Sequence, residues 1–187
     1  MKRKVSIAII PSEKIITLVD LIKTILFDKI GWYHSRNSKA HITISEFEAD
    51  EKEIHIISSR IKETANETTA INVKFENIKS FENGALFIGP NEDSRNELKA
   101  IMKKFYKTTN SVSKVYKSYE PHISIGRRIE EGKLKIAFEI IKSIKFMFHC
   151  DTVAIRVFNE DLKQYEIKER FPLNGNPSNN GGQTSLF

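Results

Sequence analysis

The chain of 187 residues is 40% hydrophobic and 29% charged, with one cysteine and 30 basic against 24 acidic side chains, a net charge of +6. That length suits one domain, or one built from two similar halves, able to bury a core without disulfide or metal staples; the composition excludes disordered and fibrous classes, and lone Cys150 excludes an internal disulfide or a cysteine-rich metal site and fits a reducing cytoplasm. The basic excess favours anionic partners such as RNA or phosphorylated small molecules, although a lysine-rich solvated surface gives the same sum.

The chain opens MKRKVSIAIIPSEK. Its apolar part, Val5–Ile10, is too short for a signal segment or a membrane span and is cut off by Pro11, so it reads as a first strand. Ser12 offers a helix cap and Glu13 an acidic first turn. Ile15, Ile16, Val19, Ile22, Ile25 and Leu26 follow at helical spacing. Ala40–Phe47 reads as a strand. Glu51–Glu67 reads as a helix with Ile54, Ile57 and Ile61 inward. Ile71–Ile78 and Ala85–Ile88 read as a hairpin turning at Asn83-Gly84.

The pattern then restarts. Ile88-Gly-Pro-Asn-Glu92 echoes Ile9-Ile-Pro-Ser-Glu13: a strand ends at proline, and a cap and a carboxylate open a helix. This helix reaches about Lys107, with Leu98, Ile101, Met102 and Phe105 inward. A polar stretch, Thr108–Ser118, leads to a strand His122–Arg127 and a helix from about Glu130 to Lys145. Two strands, Phe146–Phe158 and Gln164–Phe171, close the unit at a turn over Asn159–Lys163. With Ala85–Ile88 read both as the end of the first pattern and as the start of the second, each half reads strand, helix, strand, helix, strand, strand, the order of an internal duplication. The expected fold is an α+β domain over residues 1–172, with lobes of roughly 1–83 and 84–172 that can exchange strands. Residues 173–187 are rich in Asn, Gly, Ser and Pro and read as a flexible tail.

Five histidines are present, and two share one local pattern. His41-Ile-Thr-Ile44 and His122-Ile-Ser-Ile125 both read histidine, apolar, hydroxyl, apolar. Residues i and i+2 of a strand share a face. Each strand therefore carries an imidazole and a hydroxyl on one side, Thr43 with His41 and Ser124 with His122, and isoleucines on the other. The copies hold equivalent places: His41 lies 30 residues after Pro11, and His122 lies 32 after Pro90. Under a pseudo-twofold the two imidazoles face each other across a cleft. Two histidines can divide the cleavage of a phosphodiester, one as base toward the attacking oxygen and one as acid toward the leaving oxygen. The two hydroxyls can donate to the non-bridging phosphate oxygens. None of this requires a metal or cofactor.

A duplicated α/β chain of this size with two H-x-[ST]-x tetrapeptides resembles the two-histidine (2H) phosphoesterase superfamily, and within it the bacterial RNA 2′,5′-ligase and cyclic-nucleotide phosphodiesterase branch. The stretch Tyr119-Glu-Pro-His-Ile-Ser-Ile-Gly-Arg127 is the closer match; the first motif departs from the family pattern, because Ser45 and Glu46 stand before Phe47. The resemblance implies a bilobal fold of two antiparallel sheets about a V-shaped cleft, helices outside. It implies cleavage of 2′,3′-cyclic phosphates or 2′,5′ linkages in RNA or small nucleotides, with some members named for the joining direction. It places Arg127 at a phosphate-contacting position and Trp32 at a substrate-side aromatic position. Strict alternation from His122 instead puts Arg128 on the catalytic face, unless a bulge at Gly126 inverts the pleat. Tyr119 and Phe47 are candidates for stacking on a base, or for core packing.

The remaining histidines carry less. His34 reads as a surface loop residue beside Arg36, His55 as structural or exposed on a helix, and His149 as a sheet position next to Cys150. No metal-ligand spacing or Walker-type phosphate loop is present. The expected protein is a cytoplasmic monomer acting on RNA or a small nucleotide without cofactor, membrane or obligate protein partner. The other readings are a joining enzyme and a non-catalytic RNA or nucleotide binder.

Overall fold

Short apolar runs stopped by proline or glycine form strands, and longer runs with apolar residues every three or four positions form helices. In the computed structural model, which describes residues 1–142 and 144–176, the order is β1 (Arg3–Ile9), α1 (Glu13–Ile30), β2 (Ile42–Ala49), α2 (Glu51–Asn66), β3 (Ile71–Ser80), β4 (Leu86–Pro90), α3 (Glu92–Phe105), a 3-10 turn (Tyr106–Thr109), β5 (Tyr116–Lys117), β6 (Ile123–Gly126), α4 (Glu131–Ile141), β7 (Phe146–Cys150), β8 (Thr152–Asn159) and β9 (Gln164–Pro172). Asp50 opens α2 with a capping box, its side chain accepting from the Glu53 N–H while Glu53 accepts from the Asp50 N–H. Asn91 caps α3 by accepting from the Ser94 N–H. Ser12 has the extended backbone of a cap at α1 but makes no side-chain bond there.

Two antiparallel sheets form, ordered β5-β2-β1-β8-β9 and β6-β4-β3-β7. Setting aside the two-residue edge strand β5, the run β2-β1-β8-β9 matches β6-β4-β3-β7. The strands β1 and β4 hold the same place in each. Both lead into a proline and a helix, and both pair with the histidine strand that follows that helix. Their other neighbours come from opposite ends of the chain: β1 pairs with β8, and β4 with β3. The halves thus trade strands. One connected apolar core spans them, from Ile7, Ile44 and Ile57 to Phe75, Ile88, Met102, Ile123 and Ile141.

Three elements differ from the sequence reading. The expected strand Phe146–Phe158 is two strands in different sheets, parting at Asp151, whose side chain accepts from the Thr152 hydroxyl. His149, Asp151 and Thr152 interrupt the apolar run there, but no glycine or proline marks a turn, so the switch is not evident from the sequence pattern. The helix α4 stops at Ile141 rather than near Lys145. Residues 173–176, placed in the tail by composition, are tied down: Leu173 is buried, and the N–H groups of Asn174, Gly175 and Asn176 donate to carbonyls at the end of α2 and just after it. The rest of that tail lies outside the described residues. Among the described residues, no helix is long and apolar enough to cross a membrane.

Candidate active site

His41 and His122 each stand immediately before a strand, β2 and β6, and the other three residues of each tetrapeptide open it. Ile42, Ile44, Ile123 and Ile125 are fully buried in the core, while His41, Thr43, His122 and Ser124 are half-buried on the opposite, open faces. Thr43 pairs across to Ala8 of β1, which pairs with Ala154 of β8. The methyl side chains leave room beside the hydroxyl. The charges of His122 and of Arg127, just after β6, act on His41 and on Tyr165 of β9, which brings the two motifs within electrostatic reach of each other.

The histidines are held alike. His41 Nδ1 lies 2.7 Å from the Lys39 carbonyl oxygen, and His122 Nδ1 lies 2.8 Å from the Glu120 carbonyl oxygen. A carbonyl only accepts, so Nδ1 carries the proton in both neutral rings. Both Nε2 atoms are left to take or give a proton. The ring of His122 packs against Phe87, with centroids 5.1 Å apart, and edge-on against Phe81 at 5.6 Å. Glu120 is itself fixed by α3: Arg95 donates to both carboxylate oxygens at 2.6 and 2.9 Å, and Lys99 lies 3.0 Å away.

Burial pushes both imidazoles below the ordinary 6.5, and unequally. His41 falls well below it, because burial is reinforced by the positive charges of Arg156 and Lys23. His122 falls too, but its Glu120 partner works against the burial.

Two bulges decide which neighbours share the open faces. On β2, Ser45 pairs with Ile7 and Thr43 with Ala8, leaving Ile44 unpaired. The pleat inverts there. Glu46, opposite Ser6, joins the face of Thr43. Phe47, opposite Val5, turns into the core at 5% exposure. The stacking role considered for Phe47 is thereby corrected to packing. On β6, Ser124 pairs with Phe87 and Gly126 with Leu86, leaving Ile125 unpaired. Gly126 faces the core, where a Cβ would stand 2.7 Å from Tyr33 and Ile129 atoms. Arg127 therefore follows onto the face of Ser124, and strict alternation, which would put Arg128 there, does not hold. Its Nε donates to Ser35 Oγ at 2.7 Å, and its N–H to the His34 carbonyl. Arg128, exposed with a positive φ of 54°, sits at the rim. Together with His34, Asn83 and Ala85, the two arginines line a cavity of about 540 Å³. Trp32 and Tyr119 are exposed, at 62% and 70%, and Tyr119 meets Tyr106 edge-on.

Two cations beside the site escaped the sequence reading. Lys23 sits on the apolar stripe of α1, almost wholly buried, donating to the carbonyls of Ser35 and Ser38 at 3.0 and 2.6 Å. It thereby fixes the loop that holds Arg127, and burial lowers it to about 8. Arg156 lies on β8 inside the run Ala-Ile-Arg-Val-Phe. A lone cation within each apolar pattern was the available signal. Burial pushes the Cys150 thiol up to about 12, which makes it a poor nucleophile. No group of three His, Cys, Asp or Glu able to hold a metal occurs among the described residues.

Comparison with known proteins bears on this geometry. No curated protein matches the chain by sequence. Among solved structures, Escherichia coli LigT complexed with 3′-AMP has a TM-score of 0.67 at 11% identity, over 92% of this chain and 98% of its own. The Thermus thermophilus protein TT0787 has a TM-score of 0.68 at 13% identity, over 92% and 98%. Kluyveromyces marxianus Usb1 with uridine monophosphate has 0.54 at 14% identity, over 91% and 99%. At such identities the likeness is one of fold. The family model described as the 2′-5′ RNA ligase superfamily matches residues 11–162, which contain both histidine motifs, and the chain belongs to that superfamily.

Proposed function

We propose that the protein is a metal-independent phosphodiesterase acting on 2′,3′-cyclic phosphate or 2′,5′-linked nucleotides or RNA ends. The observation that carries this reading is the matched pair of half-buried imidazoles, each with Nδ1 bound to a backbone carbonyl and Nε2 left for the cleft. A module that only binds has no need of two such proton carriers. The 3′-AMP complexed with LigT and the uridine monophosphate with Usb1 support a nucleotide as the substrate class.

We assign His41, which burial and the charges of Arg156 and Lys23 favour as the neutral ring, to the general base, and His122, where Glu120 works against burial, to the acid. His41 Nε2 takes a proton from water as its oxygen bonds to phosphorus. One P–O bond to ribose breaks, and the leaving oxygen takes the Nε2 proton of imidazolium His122. A phosphomonoester and a free hydroxyl result, with the two proton states exchanged. Thr43 and Ser124 donate to the non-bridging oxygens, and Arg127 offsets their charge. If a ribose hydroxyl replaces water as the attacking group, the same residues join RNA ends. Hydrolysis and joining thus share one site.

The test is turnover of 2′,3′-cyclic nucleotides, 2′,5′- and 3′,5′-linked dinucleotides and cyclic-phosphate RNA ends after EDTA treatment. His41→Ala and His122→Ala should each lower the rate by about three orders of magnitude. A fall of less than tenfold in either would remove the assigned roles, and nucleotide binding without any turnover would favour the binding module.

A further inference from the structure

Arg156 is 5% exposed and lies on the open face of the first sheet. Cross-strand partners share a face, and the register fixes its surroundings. Arg156 pairs with Ser6, and Ser6 with Glu46. The adjacent row is Ala154, Ala8 and Thr43. Arg156 therefore stands one row from that of the Thr43 hydroxyl, and its charge reaches His41.

Its contacts leave it under-satisfied. Nη2 donates to Ser6 Oγ at 2.8 Å, and the guanidinium carbon lies 5.2 Å from the centre of the Tyr165 ring. Nε is buried without an acceptor. Among the described residues no carboxylate comes within 4.0 Å of it; Glu46 stabilises its charge only from farther off. A buried cation without a counter-ion is among the costliest arrangements a fold retains. Arg156 stays protonated at neutral pH, since burial lowers it only to about 10. The missing partner is an anion that arrives from the cleft.

We propose that Arg156 is a second anion subsite, which takes the 5′-phosphate of the nucleotide whose 2′,3′-cyclic or 3′-phosphate lies between the histidines. This rests on the phosphodiesterase reading and narrows its substrate class to 5′-phosphorylated nucleotides and RNA ends. A nucleoside carrying only the scissile phosphate leaves Arg156 unpaired.

Calorimetric binding of adenosine 3′-monophosphate and adenosine 3′,5′-bisphosphate, which requires no turnover, separates this claim from the catalytic one. Wild type should bind the bisphosphate at least tenfold more tightly. In Arg156→Met the gap should close to within about twofold, while affinity for the monophosphate and the melting temperature hold or rise. Should that variant not fold, Arg156→Lys should narrow the gap at least threefold. Equal affinities in wild type, or failure to bind either, would overturn the subsite. An equal loss for both ligands in Arg156→Met would assign the residue to the scissile phosphate instead. A lower melting temperature with the gap intact would make it structural. If the subsite stands but no phosphodiester is cleaved, the catalytic reading falls alone.

Discussion

At the residue scale, the proposed mechanism makes the two imidazoles set the pH dependence. The proposed cleavage needs one neutral ring and one imidazolium, and burial lowers both groups below the ordinary 6.5 in the free protein. The profile of kcat/KM should be a bell on the acid side of neutrality. Its alkaline limb, where the acid loses its proton, should fall below pH 6.5 and report His122. Its acid limb, where the base gains one, should lie lower and report His41. Bound phosphate adds negative charge between the rings, so the kcat profile should shift to higher pH. Arg156→Met removes a charge that depresses His41, and should raise the acid limb while leaving the alkaline limb in place. An alkaline limb above 7 in kcat/KM would contradict the burial-driven depression. The histidine and hydroxyl pairs were readable because tetrapeptide and strand alternation together place a side chain on a face. Phe47, Lys23 and Arg156 were not. Which face Phe47 takes depends on a bulge, and the roles of the two cations depend on what lies across a sheet or under a loop.

At the element scale, the two bulges act as switches of side-chain direction. The one on β6 relies on Gly126, whose inward side is closed by Tyr33 and Ile129. Gly126→Ala puts a methyl group 2.7 Å from their atoms, and those are ring and branched side chains packed in the core. Overpacking of this kind costs about 1–3 kcal/mol. It should also move Arg127, which is fixed by backbone and side-chain bonds to His34 and Ser35. The expected result is a lower melting temperature with a raised KM and a smaller change in kcat, because the histidine strand begins before the bulge. An unchanged KM would separate Arg127 from substrate binding. The helices were legible because caps and apolar spacing are local. The exchange between β7 and β8 was not, since no glycine or proline parts them; only the burial differs, alternating along β7 and continuous over Val153–Val157 of β8. The Gly126 bulge was foreseeable as one of two alternatives, because glycine tolerates the irregular pleat. Its consequence for Arg127 needed the register.

At the scale of the molecule, the two sheets repeat one strand order, β2-β1-β8-β9 and β6-β4-β3-β7, and each draws strands from both halves of the chain. The inner strands β1 and β4 each have one neighbour from their own half and one from the other: β1 lies between β2 and β8, and β4 between β6 and β3. The strand β7 completes the second sheet and β8 the first, one residue apart in the chain. Neither half can close its sheet alone, and the apolar core is continuous between them. Thermal unfolding should therefore be a single transition, with the calorimetric enthalpy equal to the van't Hoff enthalpy and both probes of secondary structure and of Trp32 environment coinciding. A chain cut at residue 83 should yield fragments that do not fold separately, because the first lacks β8 and β9 beside β1 and leaves β3 without either partner. Two resolved transitions, or a folded first fragment, would mean that the lobes are energetically separate. Cooperative unfolding would tie the two histidines to one structural event: loosening either sheet would disturb the alignment of both rings.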